Sequence, residues 1–166
     1  MQRIAILSDT HVPSRERAVP DWVVAELERA DHVIHAGDFD SKGTCDRIEL
    51  LAEGELTAVR GNTDPPTIEI PYIDTLEVDG VTFAVTHGSG SPNGWGRRVA
   101  EIARSSTSDD DPVAVAGHTH EVVDRTVEGV RVLNPGSATG AAPADRATMY
   151  VATVEDGTLS LDLRTD

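Results

Sequence analysis

Three short apolar runs, each stopping at a polar cluster and separated by stretches of helical character, do most to restrict what this chain can fold into. Arg3 to Leu7 stops at Ser8-Asp9-Thr10-His11, Val33 to Ala36 at Gly37-Asp38, and Leu56 to Arg60 at Gly61-Asn62-Thr63-Asp64. Runs of this length and makeup read as buried strands. A helix is expected from Pro20 or Asp21, with Val23, Val24 and Leu27 on one face, and Ile48 to Leu51 lies on a second. The order βαβαβ is the signature of a parallel sheet, because parallel neighbours need long crossovers and helices supply them.

The texture then changes to hairpins. Ile73 to Val78 and Val81 to Thr86 flank Asp79-Gly80, Val122 to Val127 and Val130 to Leu133 flank Glu128-Gly129, and Thr148 to Val154 and Leu159 to Leu163 flank Glu155-Asp156-Gly157. Each turn carries a glycine, as tight hairpins require. Between the first two hairpins lie a helix from about Trp95 to Arg104 and an apolar strand from Pro112 to Ala116. Periodicity therefore predicts an α/β protein with mixed sheets and helices outside. Ser105 to Asp111 and Ala138 to Asp145 read as loops.

The 166 residues suit one domain spanning 1–166, long enough to bury roughly two thirds of its unfolded surface. Cys45 is the only cysteine, which excludes an internal disulfide and is expected to be a small buried helix residue. No apolar run approaches membrane-spanning length, and Met1 to Ser8 leads into a strand and not a signal peptide, so a cytoplasmic protein without a membrane partner is expected. The formal charge is -15, with Lys42 the single lysine. That balance disfavours a basic nucleic-acid-binding face, since such binding rests on Lys and Arg neutralising phosphates. It also suggests adaptation to a salty interior, where screening at about 1 M salt shortens to roughly 3 Å and relieves self-repulsion.

Seven side chains of metal-binding type stand just after strands: Asp9 and His11, Asp38, Asn62, His87, His118 and His120. In open α/β sheets ligands bind beyond the carboxyl ends of strands, so side chains placed there converge on one crevice. Gly37, Gly61, Gly88 and Gly117 permit tight turns and close backbone approach beside them. Taken singly, Asp9 and Asp38 read equally as turn or capping residues and Asn62 as a turn residue. His118 and His120 are two apart, which on a strand would put both rings on one face. Imidazole, carboxylate and amide oxygen without thiolate suit Mn²⁺, Fe²⁺, Co²⁺, Ni²⁺ or Zn²⁺ in a working site and not a structural zinc. His35 is expected to be a hydrogen-bonded core or supporting histidine and His32 a strand-edge residue.

The order of Asp9-Thr10-His11, Gly37-Asp38, Gly61-Asn62-Thr63-Asp64, His87-Gly88, Gly117-His118-Thr119-His120 and Asn134-Pro135-Gly136-Ser137 resembles the calcineurin-like metallophosphoesterase superfamily, in particular its small single-domain bacterial and archaeal phosphodiesterases. The resemblance covers nearly the whole chain. It implies a four-layer α-β-β-α sandwich with two mixed sheets flanked by helices. It also implies two divalent cations, Mn²⁺ first among them. One would be held by Asp9, His11 and His120, the other by Asn62, His87 and His118, with Asp38 bridging. Paired ions of this kind turn water into hydroxide and neutralise phosphate oxygens, which makes a small phosphate diester the expected substrate. No serine or cysteine nucleophile and no phosphate-binding P-loop is evident.

Thr63 departs from the superfamily pattern, where many larger members carry a histidine that assists the leaving group. A threonine cannot act as an imidazolium acid, so good leaving groups should be favoured. Asp64 is the candidate catalytic residue beside it, either orienting its neighbours or donating a proton. Arg97 and Arg98, after the Gly88 to Gly94 loop, are read as phosphate contacts or as surface arginines. A phosphomonoesterase, a noncatalytic scaffold like the small retromer subunit, and a homo-oligomer are the other expectations this pattern permits.

Overall fold

In the computed structural model, which describes residues 1–166, β1 (Gln2–Leu7), α1 (Asp21–Glu28), β2 (His32–His35), α2 (Lys42–Leu51) and β3 (Leu56–Ala58) follow the predicted βαβαβ order. β1, β2 and β3 run parallel, with Leu7 opposite His35 and His35 opposite Ala58. The chain returns at its end through β9 (Thr148–Glu155) and β10 (Thr158–Thr165), which add antiparallel on the far side of β1. The first sheet is thus ordered β10-β9-β1-β2-β3.

A second five-stranded sheet is built from β4 (Ile73–Val78), β5 (Val81–Thr86), β6 (Val113–Val115), β7 (Val122–Val127) and β8 (Val130–Pro135), ordered β4-β5-β6-β8-β7. Its interior pairs are parallel and its two edge pairs are antiparallel hairpins. In all three hairpins of the chain the two turn residues have positive φ: Asp79-Gly80, Glu128-Gly129 and Asp156-Gly157. Such turns match the right-handed twist of the strands they join, which is why each carries its glycine. The remaining helix, α3 (Trp95–Ser106), crosses from β5 to β6.

Three apolar layers hold these elements together. Ile4, Ile6 and Ile34 of the first sheet meet Phe83, Val85, Val115 and Leu133 of the second, all fully buried. The opposite face of the first sheet, with Leu7 and Val33, packs under Val23 and Leu27 of α1 and Ile48 of α2. The outer face of the second sheet, with Ala84, Ala114 and Val132, packs under Trp95, Val99, Ala100 and Ala103 of α3. β1 buries residues on both faces, so it reads as a continuous apolar run and not an alternating one. Burying one such Ile or Leu side chain stabilises the fold by about 1.5–3 kcal/mol. The result is the expected α-β-β-α layering of two mixed sheets between helices.

Cys45 is buried in α2, and burial pushes its thiol up to about 11, so it is a packing residue and not a nucleophile. No helix is long and apolar enough to cross a membrane.

Candidate metal centre

All seven side chains singled out from the sequence lie in turns that follow strands: Asp9 and His11 after β1, Asp38 after β2, Asn62 after β3, His87 after β5, and His118 and His120 after β6. The turns are tight enough to need unusual backbone. Asp9, His11, Asp38, Asp40, His118 and His120 are six of the ten non-glycine residues with positive φ. Each such residue costs on the order of 1 kcal/mol, and clustering of that strain at one place marks a functional site. Hydrogen bonds between turns hold it: Asp9 N–H donates to Gly37 O at 3.0 Å, and His11 N–H to Asp38 O at 3.1 Å. Glycine is required where the turns touch. A Cβ on Gly61 would stand 2.0 Å from Asp38 Oδ1, and one on Gly117 would stand 2.1 Å from Ser8 Oγ.

The donors gather into two groups, Asp9 with His11 and His120, and Asp38 with His87 and His118; within each group one donor atom per residue lies within 4.8 Å of the others. Asn62 joins the second, its Oδ1 3.0 Å from His118 Nδ1. Asp38 Oδ2 lies between the groups, 3.1 Å from His87 Nε2 and 3.5 Å from His11 Nε2. His118 and His120 therefore do not share a face as strand neighbours would. They sit in the turn beyond β6 with φ of 76° and 60°, and this backbone sends one ring to each group.

Ring hydrogen bonds turn the other nitrogen of each histidine toward the crevice. His11 Nδ1 pairs with Asp40 Oδ1 at 2.9 Å, His120 Nδ1 with Ala141 O at 2.8 Å, His87 Nδ1 with Ala36 O at 2.6 Å, and His118 Nε2 with Gly90 O at 2.8 Å. In the neutral ring these acceptors hold the proton on the outer nitrogen and leave the inner one its lone pair, as in a metal-ligating histidine. His11 Nε2 and His120 Nε2 consequently face each other across the crevice at 3.2 Å. Asp9 shows the same partition: its Oδ2 accepts from Ser8 Oγ at 2.7 Å and His118 N at 3.0 Å, while its Oδ1 has no hydrogen-bond partner. His87 Nε2 is likewise buried without a hydrogen-bond partner, 3.1 Å from the ionised Asp38 Oδ2. Buried donors and acceptors are otherwise satisfied in native proteins, so these atoms fit divalent cations.

The electrostatics agree. Burial alone would raise the Asp9 carboxyl, but the His11 and His120 rings outweigh it and hold it far below the carboxylate range. Burial also works against ionised Asp38, and the facing His87 with the Thr63 amide overcomes it. Burial lowers His87, yet Asp38 and Asp9 lift it to about 9. His11 is raised in the same way against its burial, through Asp9, Asp40 and Asp38. Both carboxylates are thus held ionised, the state in which they ligate.

Asp64 does not face the crevice with a free oxygen. Its carboxylate accepts four backbone N–H groups: Phe39 at 2.7 Å, Gly61 at 2.8 Å, Asp38 at 2.9 Å and Asp40 at 3.0 Å. It ties the turn after β2 to the turn after β3. Thr63 is turned aside too, its hydroxyl donating to Asp40. Arg98 donates to Gly88 O and Ser91 O, both at 3.0 Å, and stays beside His87, whereas Arg97 pairs with Glu128 at 3.0 Å away from the crevice.

Asp40 is the residue the sequence reading passed over. Its carboxylate takes the His11 ring proton and the hydroxyls of Ser14 and Thr63. The available signal was its place two residues after Asp38, but nothing local connects it with His11. Asp40→Ala is expected to weaken Mn²⁺ binding roughly 10- to 100-fold, the usual effect of losing the carboxylate behind a ligating histidine. Calorimetric titration checks this, and Asp40→Asn should recover part of the loss.

His35 lies under the centre, stacked on Phe39 at 3.6 Å and bonded to Thr10 Oγ1 and the Gly37 amide. Burial pushes it down to about 3 from an ordinary 6.5, with only partial opposition from Asp9 and Asp38. The unfolded chain then takes up a proton below pH 6.5 that folded His35 refuses until about pH 3, so stability gains with rising pH across that window. Denaturant melts of wild type and His35→Gln at several pH values should show the variant losing that part of the slope; parallel profiles would remove the assignment. His32, at the start of β2, is half-buried and bonds Thr57 Oγ1 at 2.8 Å.

The largest surface depression, about 510 Å³, lies elsewhere, beside the first residues of β1 and β2. Asp31, Glu55, Glu77 and Asp79 line it, and their charge would repel a phosphate ester.

Two imidazole and carboxylate clusters sharing a crevice at the strand ends of a layered α/β fold define a metal-dependent phosphoester hydrolase. The chain belongs to the calcineurin-like phosphoesterase superfamily, whose domain model matches residues 2–157. A probable metallophosphoesterase of Methanothermobacter thermautotrophicus is 31% identical over 149 residues, covering 89% of this chain and 84% of the relative. A phosphodiesterase of Methanocaldococcus jannaschii is 32% identical over 153 residues, covering 83% and 85%. Among solved structures, a Vps29 of Entamoeba histolytica superposes with a TM-score of 0.76 at 22% identity over 99% of each chain, a likeness of fold.

Proposed function

We propose that this protein hydrolyses a small phosphate diester, using two divalent cations held by Asp9, His11 and His120 on one side and by Asn62, His87 and His118 on the other, with Asp38 shared. The observation that carries this reading is the convergence of imidazole and carboxylate atoms on one crevice, where the buried Asp9 Oδ1 and His87 Nε2 have no hydrogen-bond partner beside Asp38 Oδ2. Bound there, such cations activate water for attack on phosphorus and neutralise the phosphate oxygens. The protein's own share is orientation: Asp40, Ala141, Ala36 and Gly90 hold the four rings, and Ser8 with the His118 amide turns one Asp9 oxygen inward. Asp64 is assigned a positioning role through its four amides.

Two features favour a diester over a monoester. With its histidines serving as ligands the crevice would present no imidazolium to protonate a leaving alkoxide, and neither neighbour replaces one, because Thr63 bonds Asp40 and Asp64 is fully occupied. Arg97, the other candidate phosphate contact, is paired with Glu128 at 3.0 Å and does not reach the crevice to hold the second charge of a monoester. The named activity of the Methanocaldococcus jannaschii relative supports the same choice.

Parallel assays with bis-p-nitrophenyl phosphate and p-nitrophenyl phosphate in Mn²⁺, Fe²⁺, Co²⁺, Ni²⁺ and Zn²⁺ test this. Preferred turnover of the diester is expected, with EDTA abolishing it; preference for the monoester overturns the substrate class, and metal-loaded protein inert on both supports a scaffold of the Vps29 type. Metal at about 100 times its dissociation constant should also stabilise the fold by about 2.7 kcal/mol, a rise in melting temperature of roughly 5–10 °C.

A further inference from the structure

A small cavity of about 220 Å³ opens directly beside the metal centre, and His87, Gly88 and Ser89 form one of its walls. The rest of its lining is the ring of Tyr72, Ile73 at the start of β4 and Ile102 of α3, together with Arg60, Thr86 and Arg98. Tyr72 is 70% exposed and Ile73 is 43% exposed, an unusual outlay of apolar surface in a chain with two tyrosines, two tryptophans and two phenylalanines. The Tyr72 ring is backed by Arg60, whose guanidinium carbon lies 6.0 Å from the ring centroid. Arg60 is itself fixed, donating to the carbonyls of Asp64, Pro65 and Ile68. Arg98 donates to the carbonyls of Gly88 and Ser91.

Both guanidinium groups are held in place by backbone oxygens, and the surface that the cavity presents is mostly apolar. The cavity is also smaller than the roughly 300–1,000 Å³ that encloses a whole small molecule. Its size and walls suit one uncharged arm of an ester whose phosphorus sits at the metals. We infer that Tyr72, with Ile73 and Ile102, forms a subsite for a planar aromatic substituent of the substrate, an aryl group or nucleobase, stacked on the open face of the Tyr72 ring. The inference rests on the proposed phosphoesterase reading and deepens it to a substrate class. Stacking of a planar group on an exposed aromatic ring is worth enough for a single substitution to be measured.

The test uses two hydrolysis-resistant probes that differ only in the arm, phenylphosphonate and methylphosphonate, titrated calorimetrically into the Mn²⁺-loaded protein. Wild type should bind phenylphosphonate roughly tenfold more tightly. Tyr72→Ala should collapse that ratio toward one, and Tyr72→Phe, which keeps the ring, should preserve it. Equal binding of the two probes by wild type, or an unchanged ratio in Tyr72→Ala, overturns the subsite. Turnover of bis-p-nitrophenyl phosphate is measured alongside: a preserved arm preference without turnover removes the phosphodiesterase reading and leaves the subsite standing, whereas turnover without arm preference does the reverse.

Discussion

Asp38→Ala should lower hydrolysis of bis-p-nitrophenyl phosphate by about 10³-fold or more, because it strips a donor from both halves of the metal centre at once. Its Oδ2 faces a ring of each group, His87 Nε2 at 3.1 Å and His11 Nε2 at 3.5 Å, while its Oδ1 is held by the Thr63 amide at 2.9 Å. Metal assistance is worth several kcal/mol of transition-state stabilisation, and each 1.36 kcal/mol is a factor of ten in rate. Calorimetry should find Mn²⁺ uptake reduced from two equivalents per chain to one or none. The fold should survive, because the Asp38 amide stays bonded to Asp64; alanine at a φ of 62° costs only on the order of 1 kcal/mol. A variant that keeps two equivalents and wild-type turnover would remove Asp38 from the shared position.

Asp64→Ala is expected to act through the other quantity, stability. Four backbone amides from two turns converge on that carboxylate, and Asp64 is only 8% exposed. A buried donor deprived of its acceptor costs about 1–3 kcal/mol, so even with some amides recovered by water the loss is about 4 kcal/mol. That corresponds to a fall in melting temperature of roughly 10 °C, measured in metal-free buffer so that cation binding does not mask it. Asp64→Asn keeps one accepting oxygen and should lose about half as much. If Asp64 served as a proton donor instead, Asp64→Asn would melt like wild type and fail only in turnover.

Much of the centre could be read in advance because its signals are local. Asp9, His11, Asp38, Asn62, His87, His118 and His120 each follow an apolar strand, and at Gly61 and Gly117 the neighbouring glycine marks where the turns are too close for a side chain. Other features had no local signature. Asp40 pairs with His11 across 29 positions of chain, a contact made by the parallel pairing of β1 and β2. Asp64 looks like any aspartate in a turn until the amides of Phe39 and Asp40 are seen to point at it. His118 and His120 both reach the crevice as expected, but through left-handed backbone after the strand ends at Val115 and not as strand neighbours.

The sequence by itself determined the kinds and order of the elements and the roster of donors at their ends, since strand, helix and turn each follow from the periodicity and chemistry of a few adjacent residues. Only the tertiary structure decided which donor faces which. That assignment depends on sheet register and turn dihedrals, and on hydrogen bonds joining residues far apart in the chain, so the two clusters, the service of Asp40 and Asp64, and the open face of Tyr72 emerge only when the two sheets are packed.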